Sequence, residues 1–223
     1  MFDLFHKKTM VQSCLIEMKN KLKSHDGCVI CHFEDIAVEQ YIKSLLYERV
    51  NDPKVRKELL SGHGYCQSHA AMLLEAGDSL GTAILYLDQL QNFLWDLDKV
   101  YRKQNAKELD TWLDHGSCPV CMHVERHCKN YLEFFIDGLK DDDFRDNLES
   151  GNGLCITHLS MVLDNVEDKS QFAFVIKVHR QKYRELLMDV MEFIRKSDHR
   201  FRGEGLGREK DSWQRAVKTM TRF

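Results

Sequence analysis

The chain contains one arrangement of cysteine and histidine residues twice. Each copy consists of a Cys-x-x-Cys pair, then thirty-four residues in the first copy and thirty-three in the second, then a Cys-x-x-His pair. Three thiolates and one imidazole can complete a four-coordinate tetrahedral shell for zinc. We therefore predict eight metal ligands, which are Cys28, Cys31, Cys66, His69, Cys118, Cys121, Cys155 and His158.

The order of the pairs along the chain predicts one zinc ion in each half. Under this hypothesis each ion joins the two ends of a helical hairpin, so that Cys28 and Cys31 share an ion with Cys66 and His69. A site of this composition has a closed shell with no position left for water or substrate, which indicates a structural ion. An iron-sulfur cluster remains an alternative because thiolate-rich sites also hold iron. Thiol redox chemistry is a further alternative.

The local sequence around the ligands predicts how the backbone presents them. Two cysteines separated by two residues can direct both sulfurs to one point from a tight knuckle, and Pro119 suits such a turn. A cysteine and a histidine three positions apart share one face of a helix. Gly64 and Gly153 precede the two closing pairs, and we expect them to adopt backbone angles that other residues avoid. His25 and His115 each stand three residues before a knuckle, and we interpret them as exposed loop residues.

The composition indicates a soluble protein with a core of its own. The chain has 223 residues, of which 43% are hydrophobic, and a net charge of −3 that gives no overall attraction to nucleic acid. Lysines interrupt the apolar positions of residues 1–23, which is not typical of a secretion signal, and no stretch is apolar enough to span a bilayer. We expect a cytoplasmic protein, where paired cysteines bind metal more often than they form disulfides. Cys14 and Cys128 lie outside the pattern and are predicted to be small buried hydrophobes.

The periodicity of apolar residues predicts an all-α protein. Between residues 79 and 105 a three-four spacing places one apolar stripe along a helix, and residues 171–196 behave similarly. We predict that both stripes lie in the core of a helical bundle. The first stripe consists of Leu80, Ala83, Leu87, Leu90, Leu94, Leu97 and Tyr101, and the second of Phe172, Ile176, Tyr183, Leu187, Val190 and Ile194.

The same order of motifs in both halves indicates an internal duplication. The expected organisation is a first helical metal-binding repeat at 1–110, a second at 111–197, and a C-terminal basic tail with a helix at 198–223, with the repeats packed as one domain. The fold class is thus a duplicated helical bundle with two Cys3His knuckles and a helical tail. From Arg195 to Phe223 the sequence has nine Lys or Arg residues and four Asp or Glu residues. This excess makes nucleic-acid binding through the tail one hypothesis.

With the two knuckles, the two Gly-x-Cys-x-x-His elements and the segment from Arg202 to Trp213, the chain resembles an uncharacterised bacterial family of duplicated helical proteins. The resemblance covers nearly the full length and implies the same eight ligands, but it implies no activity. No motif for a catalytic triad, a phosphate-binding loop or a zinc protease is present. We therefore favour a non-enzymatic zinc scaffold that binds another macromolecule, a protein rather than nucleic acid, and no membrane.

Overall fold

The fold is described from a computed structural model that covers residues 2–24, 26–113 and 118–221, with side chains apart from those of 2–12 and 202. The predicted all-α class is confirmed, since the described residues form helices and turns and contain no strand. In these ranges the α-helices are α1 (Phe2–Ser24), α2 (Val29–Ser44), α3 (Pro53–Ser61), α4 (Gln67–Glu75), α5 (Ser79–Lys103), α6 (Lys107–Leu113), α7 (Pro119–Gly138), α8 (Asp142–Ser150), α9 (Ile156–Asn165), α10 (Lys169–Ser197) and α11 (Ser212–Met220). Within them, none combines the length and apolar character needed to cross a bilayer.

The chain forms two compact units that do not coincide with the predicted repeats 1–110 and 111–197. The central unit is Glu34–Cys128, and the terminal unit combines Met1–Phe33 with Lys129–Phe223. The boundaries fall inside α2 and α7. The order of helices is nevertheless the same in both halves, with α2 to α5 corresponding to α7 to α10.

Aspartate side chains start several of the helices. The carboxylates of Asp52, Asp78, Asp141 and Asp168 each accept a hydrogen bond from a backbone N–H in the first turn that follows. Such a cap satisfies an N–H group that the helix itself leaves without a partner, and it stabilises a helix by roughly 1 kcal/mol. Local sequence therefore fixes where α3, α5, α8 and α10 begin.

Each unit has its own apolar core. In both units the short third helix of a half contributes a pair at i and i+4, Val55 with Leu59 in α3 and Phe144 with Leu148 in α8. The core of the central unit also includes Leu45, Leu73, Leu85 and Val120. The core of the terminal unit also includes Met18, Ile30, Phe135, Val162 and Val175.

The two long helices bury a different face from the one predicted. In α5 the buried positions are Gly81, Leu85 and Gln89, and in α10 they include Val175, His179 and Asp189. The predicted core stripe of α5 faces solvent, since its members are partly or largely exposed. The stripe of α10 is likewise half-buried or exposed. The prediction that both stripes form the bundle core is therefore wrong, because the apolar three-four spacing marks a face of each helix other than the buried one.

The C-terminal segment folds back onto α10. After two 3-10 turns, His199–Glu204 and Arg208–Asp211, the chain enters α11 at Ser212, so the predicted tail helix is present. The carboxylate of Asp189, a buried residue of α10, accepts hydrogen bonds from Arg208 at 2.8 Å and Arg215 at 3.1 Å. The segment is thus fixed to α10 by charge-assisted hydrogen bonds around one buried acid.

Candidate metal centres

Eight cysteine and histidine side chains gather into two clusters of four. The terminal cluster, in the terminal unit, consists of Cys28, Cys31, Cys155 and His158. The central cluster, in the central unit, consists of Cys66, His69, Cys118 and Cys121. Within each cluster the four donor atoms lie within 4.8 Å of one another.

The distances between donor atoms are nearly the same in the two clusters. In the terminal cluster the Nδ1 atom of His158 lies 3.3–3.4 Å from the three sulfurs, and the Sγ atoms of Cys31 and Cys155 are 3.7 Å apart. In the central cluster Nδ1 of His69 lies 3.1–3.5 Å from the three sulfurs. The Sγ atoms of Cys66 and Cys121 are again 3.7 Å apart.

These distances match the edges of a tetrahedron around a single ion. With metal–sulfur bonds of about 2.3 Å and a metal–nitrogen bond of about 2.0 Å, a regular tetrahedron has sulfur–sulfur edges of about 3.8 Å and sulfur–nitrogen edges of about 3.5 Å. In a four-iron cluster each protein ligand binds a different iron, which would spread the donors further apart. Both clusters therefore fit one tetrahedral ion each.

The pairing of the motifs differs from the prediction. Each cluster combines the Cys-x-x-Cys pair of one half with the Cys-x-x-His pair of the other half. The predicted set of Cys28, Cys31, Cys66 and His69 around one ion is wrong, as is its counterpart in the second half. Helix lengths contribute to this difference. Between Cys28 and Cys66 the chain runs through α2, which alone is about 24 Å long, and then the π-helical turn Leu45–Arg49, whereas α3, with 9 residues, spans only about 14 Å.

Each of the four ligand pairs stands at the start of a helix. The carbonyl oxygens of Cys28, Cys66, Cys118 and Cys155 each accept a hydrogen bond from the N–H group four residues later. Both Cys-x-x-Cys pairs therefore open α2 and α7, rather than forming separate knuckles. Pro119 is the first residue of α7, a position where its missing N–H group costs nothing. The helix N-termini direct partial positive charge toward the sulfurs and favour thiolates.

Two glycines shape the approach to the closing pairs, as predicted. Gly64 has φ of 107° and Gly153 has φ of 81°, in a region that L-residues with a side chain rarely adopt. At Gly153 a Cβ atom would also lie 2.8 Å from Lys182 Cδ. The turn before Cys155 therefore requires glycine for two reasons.

The pKa values of the cysteines show how strongly the sulfurs of a cluster interact. Hydrogen bonds from Cys28 and Cys31 hold the pKa of Cys155 far below its ordinary range, whereas the hydrogen bond with Cys155 raises the pKa of Cys31. In the central cluster, burial and then the charge of Cys118 raise the pKa of Cys121 to about 12. Sulfur atoms this close cannot all become thiolates unless a cation offsets their charge, and a divalent ion does so.

Three side chains of α10 hold the glycine turn that leads to Cys155. Nε2 of the buried His179 accepts a hydrogen bond from the N–H of Leu154 at 2.9 Å, and its Nδ1 lies 2.8 Å from the carbonyl oxygen of Val175. Tyr183 Oη donates to the Leu154 carbonyl at 3.1 Å. Lys182 Nζ donates to the carbonyl oxygens of Glu149 and Gly151. Both backbone polar groups of Leu154, the residue before Cys155, are therefore hydrogen-bonded to side chains of α10.

The contacts of His179 define its protonation state. Nε2 must be unprotonated to accept from Leu154, and Nδ1 must carry the proton that it donates to Val175. Burial lowers the pKa of His179 and also that of Lys182, and it raises the pKa of Tyr183 to about 12. These three residues belong to none of the motifs in the sequence. The signal available was the spacing of Val175, His179 and Tyr183 by four, which places them on one face of α10.

The two clusters differ in their access to solvent. In the terminal cluster Cys28, Cys155 and His158 are buried, and Cys155 is only 2% exposed. In the central cluster Cys118 is buried, whereas Cys121 is exposed. A reagent in solution therefore reaches a sulfur of the central cluster more readily.

Cys14 and Cys128 are the two cysteines outside the clusters. Cys128 is buried, as predicted, and Cys14 is partly buried. Burial and then the charge of Glu17 raise the pKa of the Cys14 thiol, which disfavours its reactive thiolate form. His25 and His115 lie outside the described residues.

The basic tail does not present its charges freely to solvent. In the last turn of α10, Arg195 pairs with Glu192 and Glu204, and Lys196 pairs with Glu209 of the tail. Arg200, Arg208 and Arg215 pair with aspartates of α10 or of the tail itself. Much of the positive charge counted in the sequence is therefore offset locally.

Comparison with known proteins places the chain in a family. The profile of a family of unknown function (DUF6062) matches residues 10–223. The chain belongs to this family. An uncharacterized 23.9 kDa protein in the xynA 3' region of Caldicellulosiruptor sp. (strain Rt8B.4) is 25% identical over 184 residues, which cover 78% of this chain and 84% of that protein. No solved structure matches the chain. The predicted resemblance to an uncharacterised family is thus confirmed, and it brings no activity with it.

Proposed function

We propose that the protein is a zinc-stabilised helical scaffold in which two structural Cys3His sites each join the starts of two helices. The observation that carries the proposal is the convergence of three sulfurs and one Nδ1 atom in each cluster, at the spacing expected around one tetrahedral ion. Zinc would be held by Cys28, Cys31, Cys155 and His158 in one site and by Cys66, His69, Cys118 and Cys121 in the other. When bound, zinc supplies a positive charge that keeps the thiolates together.

The donor set favours a structural role over catalysis. Four protein donors complete the tetrahedral shell, whereas a catalytic zinc site keeps one position open for water or substrate. Structural zinc contributes on the order of 10 kcal/mol to folding, which is comparable to the whole stability of a small domain. We therefore interpret the two ions as part of the fold, with one in each compact unit.

The surface favours a protein as the partner of the scaffold. Large apolar side chains are exposed along α5 and α10, and such patches are typical of protein interfaces. The ion pairs of the tail reduce its attraction for phosphate, which makes nucleic acid a less favoured partner than a protein. The proposed location is the cytoplasm, where a reducing environment keeps the thiols available for zinc.

Elemental analysis of the purified protein tests the metal. We expect a colourless protein with about two zinc ions per chain, whereas a brown protein that contains iron would refute the zinc assignment. Cys66→Ser should lose one zinc ion and Cys14→Ser should keep both, because Cys14 lies outside the clusters. A Cys66→Ser variant that retains two zinc ions would show that Cys66 is not a ligand.

A further inference from the structure

The exposed stripe on α5 has the spacing of a coiled-coil seam. Its members follow one another at alternating intervals of three and four residues over the whole helix. This is the repeat that places side chains at the a and d positions of two paired helices. Five of its six large members are between 52% and 77% exposed, namely Leu80, Leu87, Leu90, Leu94 and Tyr101, and the sixth, Leu97, is partly buried. The helix packs into its own unit through the opposite face, around Leu85.

We propose that the α5 seam, defined as Leu80, Ala83, Leu87, Leu90, Leu94, Leu97 and Tyr101, pairs with the same seam of a second copy of this chain in an antiparallel arrangement. A second copy of the chain would then be the protein partner proposed above. The dimer rests on that part of the proposed function, but it does not depend on the identity of the metal.

The length and area of the seam suit a dimer. A helix of 25 residues is about 37 Å long, enough for three heptads. The five exposed side chains offer roughly 500 Å² of apolar surface per copy. A standard interface buries roughly 800 Å² per partner, so the side chains that flank the seam on α5 would supply the rest. An apolar patch of this size equals the largest patch of a typical monomeric protein, and such patches are often binding sites.

The charges at the two ends of α5 favour the antiparallel arrangement. The last turn carries Arg102 and Lys103, of which Lys103 also pairs with Glu108, whereas Asp78 caps the start of the helix and Glu75 ends the preceding helix α4. Parallel pairing would bring the basic ends of both copies together. Antiparallel pairing places the basic end of one helix beside the acidic end of the other and also opposes the two helix dipoles.

Sedimentation velocity of the full-length, metal-loaded chain at micromolar concentrations tests the dimer. We expect twice the chain mass of 26.2 kDa. The double variant Leu87→Glu, Leu94→Glu should sediment as a monomer with unchanged helix content by circular dichroism, because these positions face solvent within the monomer. Leu74→Glu is the matched control, since Leu74 is an exposed leucine of α4 outside the seam, and this variant should remain a dimer. A monomeric wild-type chain, or a dimeric double variant, would overturn the proposal.

Cross-linking tests the orientation. Zero-length amine–carboxyl cross-linking of mixed isotope-labelled and unlabelled chains should join Lys103 of one copy to Glu75 or Asp78 of the other. Links between copies that are confined to residues near the same end of α5 would refute the antiparallel arrangement. The zinc content of the same samples is measured separately, so a failed dimer and a failed metal assignment are distinguished.

Discussion

The pairing of the cysteine motifs can be tested by removing two ligands at a time. Cys31 and Cys155 lie in one cluster with sulfurs 3.7 Å apart, although one belongs to each half of the sequence. Cys31 and Cys66 belong to the same half but lie in different clusters. The double variant Cys31→Ser, Cys155→Ser should therefore lose one zinc ion, and Cys31→Ser, Cys66→Ser should lose both.

The size of the effect follows from four donors sharing one ion. If a site contributes on the order of 10 kcal/mol, each ligand accounts for about a quarter, and its loss weakens zinc binding roughly 100-fold. Once Cys31 is replaced and the terminal cluster has released its ion, replacing Cys155 removes little more stability. Replacing Cys66 instead costs as much as it does in the wild-type chain. The first pair of substitutions is thus strongly non-additive in the free energy of unfolding, and the second is close to additive.

The assay combines zinc content after dialysis against a mild chelator with denaturant unfolding of each single and double variant. Cys14→Ser serves as the control, since it removes a thiol without removing a cluster donor. The opposite pattern, in which the Cys31, Cys155 pair loses both ions and the Cys31, Cys66 pair loses only one, would refute the pairing seen in the structure and restore one site per half.

Three further predictions concern the surroundings of the clusters. Burial lowers the pKa of His179 in the folded chain, so the unfolded chain binds the proton first as the pH falls below about 6.5. The free energy of unfolding should therefore decline by up to about 1.4 kcal/mol per pH unit until the folded-state pKa is reached. Denaturant unfolding of His179→Gln at several pH values should show a shallower decline, and equal slopes would contradict the assignment. Gly151→Ala places a Cβ atom 1.9 Å from the Leu22 carbonyl oxygen and should lower the free energy of unfolding by roughly 2 kcal/mol or more. In the control Gly203→Ala the new Cβ atom has nothing within 4 Å, so this variant should be nearly neutral. Similar values for the two variants would argue against the close approach at Gly151. In a peroxide titration, the first zinc ion released should accompany oxidation of the exposed Cys121, as followed by mass spectrometry; earlier oxidation of the buried cluster would count against the difference in access.

The sequence predicted which residues form the two clusters but not which ligand pairs share a cluster. The spacing of each Cys-x-x-His pair and the glycine before it predicted a helix start with unusual backbone angles, and Cys66, Cys155, Gly64 and Gly153 follow that prediction. These features are local, so a few neighbouring residues determine them. Pairing depends on how far the intervening helices carry the chain. The lengths of α2 and α3 contain that information, but only once the helix boundaries are known.

The apolar stripes show a second limit of pattern analysis. The three-four spacing correctly predicted that residues 79–105 are largely helical, with α5 ending at Lys103. It did not identify the buried face, because that face includes Gly81 and Gln89, which hydrophobicity alone does not mark as core. A helix with apolar residues on two faces gives the same periodicity whichever face is buried. Only the positions of neighbouring helices decide between them.

The exchange of ligand pairs between the halves has a consequence for how the chain is made. A polypeptide emerging from the ribosome completes the donor set of the central cluster only when Cys121 has been synthesised, and that of the terminal cluster only at His158. A fragment that stops at residue 110 holds only half of each donor set, so the proposed zinc sites require both halves of the chain. The complementary fragments 1–110 and 111–223 would complete both donor sets only when they associate.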